Sequence, residues 1–128
     1  MAFIPYKNNR GAAVSFKYMP AAAEAFVIGE ALKLDSGKVA KCTGTTTPEF
    51  IAMEKKTIGT AGDPLYVLII EPTTEFETEV SGSTTVGAKY TIDSDGLKIT
   101  TTTSSGVAEA LEVDGSTSGD RCVVRFPG

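Results

Sequence analysis

The 128-residue chain is 41% hydrophobic and 22% charged, a composition that suits one compact domain. Its formal net charge is −4 and it has no cluster of Lys and Arg, which argues against a nucleic-acid partner because phosphate recognition depends on basic residues. The longest apolar run, residues 65–70, is far shorter than the roughly 20 residues that cross a bilayer, and the first residues do not resemble a signal peptide. We expect a soluble protein made in a cytoplasm, without a nucleic-acid or membrane partner.

The first thirteen residues differ in character from the rest of the chain. They place apolar side chains beside a proline, followed by two asparagines and a glycine, and they carry two basic residues and no acidic one. We interpret residues 1–13 as an extended N-terminal arm that docks on a partner, and residues 14–128 as a single β domain. The alternatives are an arm that folds onto its own domain and a frayed terminus. The candidate capsid or subunit contacts discussed below are Phe3, Ile4, Tyr6, Lys7 and Arg10.

One segment near the start of the domain is a candidate helix. The stretch "PAAAEAF", residues 20–26, begins with a proline, which suits a first helical turn, and alanine favours helix. The segment is also short enough to be a loop.

A β-hairpin is predicted at "GEALKLDSGKVAKCTG", residues 29–44. Leu32 and Leu34 alternate with polar residues, so a strand would place both leucines on a core face. The following "DSGK" provides a glycine that can adopt positive φ, and a return strand begins at Val39.

The rest of the chain also has the pattern of β-strands. Thr, Val and Ile are abundant, and Gly, Asp, Ser and Pro interrupt the sequence at short intervals. This pattern predicts an all-β fold, a compact antiparallel β-barrel or sandwich. Further strands are predicted at residues 50–55, 65–70, 75–80, 89–93, 97–101, 108–113 and 121–126.

The hairpin pattern occurs twice. "GAKYTIDSDGLKITTT", which starts at Gly87, aligns with the first hairpin after a shift of 58 positions, from Gly29 to Gly87. The same shift places Ile92 on Leu34 and continues without a gap to Phe126. We predict two similar β-units with pseudo-two-fold symmetry, in which Leu34 and Ile92 are both buried; the alternative is coincidental strand spacing. The two units span about residues 14–70 and 71–128.

Few residues suggest chemistry. The chain has no His, the commonest general base and zinc ligand, and its Ser and Thr residues lack an obvious activating partner, so we expect no enzyme, no cofactor and no metal. "IDSDG", residues 92–96, resembles the start of a calcium loop but has only two of its three acidic positions, its glycine comes too early and no Glu follows at the right distance, which predicts a hairpin turn. Cys42 and Cys122 lack the spacing of a zinc site, and we expect two free, half-buried thiols.

The hairpin that begins "GEAL", its small turn and return strand, and the following "TPEFIAME" carry a family resemblance. This pattern resembles the small decoration (cement) proteins of tailed-bacteriophage heads, mainly over residues 26–55 and more weakly over 86–113. The resemblance implies a β-fold without enzymatic activity on the outer capsid surface, commonly as a homotrimer, with an N-terminal arm that contacts the shell or a neighbouring subunit. The duplication departs from the pattern, since not every decoration family has one.

The partners implied by the resemblance are the major capsid protein and further copies of the chain. The implied location is the outer capsid surface of the virion, after assembly in the host cytoplasm. The alternatives are another virion component, such as a tail or head-fibre protein, and a surface module that binds glycans. Against glycan binding stand the absence of Trp and an aromatic content of 8%.

Overall fold

A computed structural model describes residues 2–8 and 14–128. In these residues the fold is all-β, as predicted, and contains twelve strands and no helix. The strands are β1 Ile4–Asn8, β2 Ser15–Pro20, β3 Ala25–Phe26, β4 Ala31–Asp35, β5 Lys38–Lys41, β6 Phe50–Ala52, β7 Lys56–Thr57, β8 Pro64–Ile69, β9 Thr74–Glu79, β10 Lys89–Tyr90, β11 Ala108–Val113 and β12 Arg121–Arg125.

The strands form two antiparallel five-stranded sheets that pack as a sandwich. Sheet I has the strand order β1-β9-β12-β11-β10, and sheet II has the order β2-β8-β6-β4-β5. The short strands β3 and β7 make a separate two-stranded sheet. Every strand pair within the sheets is antiparallel, which agrees with the short, turn-rich connections in the sequence.

Core I contains buried residues from both sheets. Phe76 of β9 and Val124 of β12 lie in one cluster with Ile51 of β6 and Leu68 of β8. Aromatic contacts extend this cluster, because the Phe126 ring lies 5.7 Å from that of Phe76 between centroids. Core I therefore joins sheet I to sheet II.

Core II covers the other face of sheet II. Leu65 and Val67 alternate with core I residues along β8 and pack in core II, together with Phe26 of β3 and Ile58. Sheet II is consequently apolar on both faces over much of its area, whereas β9 carries Glu75, Glu77 and Glu79 at the alternate positions.

The candidate helix at residues 20–26 is absent. β2 continues to Pro20, the buried Ala21 forms an isolated parallel bridge with Val39, and β3 covers Ala25–Phe26. Pairing with neighbouring strands and burial of Ala21 and Phe26 outweigh the modest helix preference of the alanines.

The strand order predicted for two repeated units is confirmed. β9-β12-β11-β10 in sheet I corresponds to β2-β8-β6-β4 in sheet II. The register keeps the shift of 58 positions where β4 pairs with β6, since Ala31↔Ile51 corresponds to Lys89↔Glu109. It slips by one residue at β8, because Ala52 pairs with Val67 whereas Ala110 pairs with Val124, so the predicted gap-free alignment to Phe126 is wrong. Single backbone hydrogen bonds also recur, because the Gly29 N–H donates to Ala52 O at 2.7 Å and the Gly87 N–H to Ala110 O at 2.8 Å. This agreement supports duplication over coincidental spacing.

Two further details of the predicted repeat are wrong. Ile92 is buried, but Leu34 is 41% exposed, because β6 pairs with β4 only at Ala31 and Leu32 and Leu34 extends beyond it. The predicted strand at 97–101 is not a regular strand, since Ile99 makes isolated bridges to Val80 and Ile92. The first hairpin itself is confirmed, with Ser36 and Gly37 at positive φ in its turn.

Candidate functional site

The N-terminal segment is extended over residues 2–8, as predicted, but it does not stand apart from the domain. β1 forms the edge of sheet I and pairs with β9 in the register Ile4↔Glu77 and Asn8↔Thr74. The preceding Phe3 N–H donates to Gly29 O at 2.9 Å. Residues 2–8 therefore belong to the sandwich.

Phe3 is one of the candidate contact residues, but it does not lie on the surface of the domain. Its side chain is fully buried in core I, and its ring packs edge-on against Phe126 with 5.4 Å between centroids. The backbone of Gly29 makes this packing possible, because it has φ +85° and lies where a Cβ would collide with Ala2. Phe3 therefore contributes to the stability of the domain.

Ile4 and Tyr6 are the predicted contact residues that lie on the surface, at 40% and 44% exposure. The Tyr6 ring lies 5.4 Å from the Arg121 guanidinium carbon, a cation–π distance. Lys7 is opposite Glu75 in the strand register. Arg10 lies outside the described residues.

Sequence reasoning missed a second exposed apolar surface on β2. Phe16 and Tyr18 are 42% and 64% exposed, and both rings pack against Tyr66 of β8, at 5.6 Å and 5.0 Å between centroids. We call Phe16, Tyr18 and Tyr66 the aromatic patch. Its signal was the alternation in "SFKYMP", which was overlooked because the segment was not recognised as a strand.

The aromatic patch lies along an open sheet edge. Among the described residues, β8 is the one strand that pairs with β2, and β5 approaches the C-terminal end of β2, where the adjoining Ala21 forms a parallel bridge with Val39. The Ala21 N–H donates to Asp63 O at 3.0 Å, in register with the β2–β8 pairing. Because hydrogen bonding alternates along an antiparallel pair, the backbone groups of Phe16 and Tyr18 are directed away from β8.

Comparisons with known proteins identify no family. No protein-family model matches the chain, and no curated protein matches its sequence. Within residues 2–8 and 14–128, no helix is long and apolar enough to cross a bilayer, and no pocket is present.

Glu30 is a buried acidic residue without a complete set of partners. Its side chain is 2% exposed, Val27 N–H donates to Oε1 at 3.4 Å, and Oε2 has no hydrogen-bond partner. Burial raises the pKa of Glu30 to about 7, and Lys41 opposes the shift. In the described part of the chain, no group of three or more potential metal ligands occurs, so Glu30 does not form part of such a cluster.

The acidic segment at residues 92–96 forms a hairpin turn, as predicted. Gly96 N–H donates to Asp93 O at 2.9 Å, and Lys98 Nζ lies 2.7 Å from Asp95 and 3.4 Å from Asp93. Partial burial opposes ionisation of Asp95, but hydrogen bonds from Lys98 and from Leu97 N–H lower its pKa overall. The carboxylates thus have a cationic partner within the turn.

The two cysteines are free, as predicted, and are more deeply buried than expected. Both side chains have zero exposure and lie in core I. Burial raises the pKa of Cys42 to about 11 and that of Cys122 to about 12. Both therefore remain protonated near neutral pH, the unreactive form of a thiol.

Proposed function

We propose that the chain is a structural virion protein that binds the outer surface of a tailed-phage capsid and stabilises the mature head. The observation that carries this proposal is the concentration of exposed apolar side chains on two edge strands, with Ile4 and Tyr6 on β1 and Phe16 and Tyr18 on β2. Exposed apolar groups beside open strand edges are typical of protein-binding surfaces. The sequence resemblance over residues 26–55 supplies the identity of the proposed partner, the major capsid protein.

The two edge strands suit a single binding surface. Seven Cα–Cα steps separate Asn8 from Ser15, so these ends of β1 and β2 lie at most about 27 Å apart. A standard protein interface covers about 800 Å² on each partner, which is wide enough to include both. We therefore place the capsid contact on the side of the sandwich that carries β1 and β2.

Preferential binding to the assembled shell provides the stabilising mechanism. A ligand that binds the assembled state and not free subunits shifts the equilibrium toward assembly. Three linked copies would strengthen weak individual contacts, because attachment of one copy raises the effective concentration of the others. We accordingly propose a homotrimer on the capsid, with the major capsid protein and further copies of the chain as its partners.

The proposal is tested by mixing the purified chain with expanded heads that lack it, with isolated capsid subunits and with purified tails. We expect the chain to co-sediment with heads but not with isolated subunits or tails. The number of copies bound at each position should be divisible by three. Ile4→Ser with Tyr6→Ser should weaken binding, whereas Val86→Ser, which removes an apolar side chain of 58% exposure outside both edges, should not. Binding to tails would favour the alternative of a tail or fibre component, and equal binding to free subunits would contradict the stabilising role.

A further inference from the structure

Because the two repeated units have the same strand order, the open edge of β2 in the first unit can be compared with the equivalent edge in the second unit. Its counterpart in sheet I is β9, which occupies the same place in the strand order. β9 does not end its sheet, because β1 adds to it as an antiparallel strand from outside the repeated unit. In the pairing with β8 and β12, Phe16 and Tyr18 correspond to Glu75 and Glu77 of β9. Glu75 and Glu77 pair with Lys7 and Ile4 of β1. The second unit thus shows an added strand at the edge that the first unit leaves open.

The chemistry of β2 indicates what kind of strand would fit. "SFKYMP" contains one charged residue, the exposed Lys17, and no acid. Phe16 and Tyr18 lie on the opposite face of the strand from Lys17 and Met19, and Met19 packs against core II. An added strand would therefore meet an aromatic surface on one face and a cation on the other.

The charges on the other edges argue against a second copy as the occupant. Sheets I and II end in strands that carry lysine and no acid, so edge-to-edge pairing of two copies would bring lysines together. The strongly acidic strand β9 lies inside its sheet. The lysines on the four end strands are Lys7, Lys17, Lys38, Lys41 and Lys89.

We propose that the β2 edge binds an extended acidic segment of another protein, which adds to sheet II as an antiparallel strand. Apolar side chains of that segment cover the aromatic patch, and a carboxylate at an alternate position pairs with Lys17. The backbone groups of Phe16 and Tyr18 supply the hydrogen bonds. The assignment of the segment to the capsid shell rests on the proposed function, whereas the docking edge follows from the strand order, exposure and charge described above.

A peptide with the sequence of residues 72–81, "PTTEFETEVS", is a suitable probe. Its three glutamates occupy alternate positions, and Thr and Phe lie between them, so a strand would place the carboxylates on one face and the Phe side chain on the other. Fluorescence anisotropy would measure its binding to the full chain, beside a control peptide in which its three glutamates are lysines. We expect saturable binding of the acidic peptide and much weaker binding of the control. Hydrogen exchange should slow at the amides of Phe16 and Tyr18, which a purely electrostatic contact would not cause.

Protein variants locate the binding. Phe16→Ala with Tyr18→Ala should lower affinity about tenfold through loss of aromatic contacts, and Val86→Ala should leave it unchanged. Lys17→Glu should weaken binding of the acidic peptide and strengthen binding of the control peptide that carries lysines. Because Lys17 is exposed, its replacement should not prevent folding. The charge reversal therefore still tests the proposal if the double variant Phe16→Ala with Tyr18→Ala does not fold.

Several results would overturn the proposal. They are absence of saturable peptide binding, binding that is insensitive to both β2 variants, self-association abolished by the β2 variants, and binding of an oligosaccharide at the patch in place of the peptide. A separate head-binding assay distinguishes the two proposals. Peptide binding without head binding would contradict the capsid assignment alone, whereas head binding unaffected by both β2 variants, with no peptide binding, would contradict the docking edge alone.

Discussion

Replacement of Glu30 by Gln is expected to stabilise the protein at alkaline pH. Glu30 is almost fully buried, and its Oε2 has no hydrogen-bond partner. Burial disfavours the charged form, Lys41 favours it, and the carboxylates of Glu24 and Asp95 disfavour it further. The net result is a carboxyl group that the folded state prefers to keep protonated.

The size of the effect follows from the shift in pKa. The pKa of Glu30 rises from an ordinary value of 4.5 to about 7 on folding. Because the folded-state pKa is the higher one, the stabilising contribution is complete below pH 4.5 and is lost as the pH rises through 7. A shift of this size corresponds to a loss of about 3 kcal/mol above pH 8, as an upper value.

Glu30→Gln retains the shape of the side chain and removes the ionisable group. We expect the variant to exceed the parent in unfolding free energy by about 1–3 kcal/mol at pH 8.5, and to differ much less at pH 4.5. Urea denaturation followed by far-UV circular dichroism, at half-unit steps between these pH values, measures the difference. The matched control is Glu112→Gln, since Glu112 is exposed.

The expected stability difference between Glu30→Gln and the parent depends on pH, and the absence of this dependence would refute it. A stability difference between Glu30→Gln and the parent that is constant from pH 4.5 to 8.5 would show that ionisation of Glu30 is not the cause. The same conclusion would follow if Glu112→Gln reproduced the pH dependence. Direct titration of the Glu30 carboxyl carbon by NMR should give a midpoint near 7.

Three further predictions concern core I and the glycine beneath it. Phe3→Ala should lower the unfolding free energy by about 3–5 kcal/mol, as measured by urea denaturation, because it removes a fully buried ring; a loss below about 1 kcal/mol would restore the idea of a free arm. Gly29→Ala should destabilise by more than about 1 kcal/mol because of its positive φ and the contact with Ala2, whereas Gly59→Ala, in open space, should be nearly neutral in the same assay. Both buried cysteines should react with a thiol reagent only after denaturation, and rapid labelling of the native protein would contradict their burial.

Local pattern in the sequence determined the class of fold and much of its internal order. Alternation of apolar and polar residues identified the hairpin of β4 and β5 and the strand Ala108–Val113, because side chains on a strand alternate between faces. The recurrence after 58 positions predicted the matching strand order of the two sheets. Duplicated segments with the same turns pair in the same order, so this information is contained in spacing alone.

Burial and edge position were decided by the tertiary structure. "FIPY" near the N-terminus gives no sign that Phe3 is buried while Ile4 and Tyr6 are exposed; that difference depends on the pairing of β1 with β9 and on the contact with Phe126. Leu34 has the same local pattern as a core residue and is exposed because β6 stops short of it. A strand pattern specifies two faces, but the elements that cover each face come from distant parts of the chain. For the same reason, the open edge of β2 and its aromatic patch became recognisable only once β8 was seen as the one strand that pairs with β2 among the described residues.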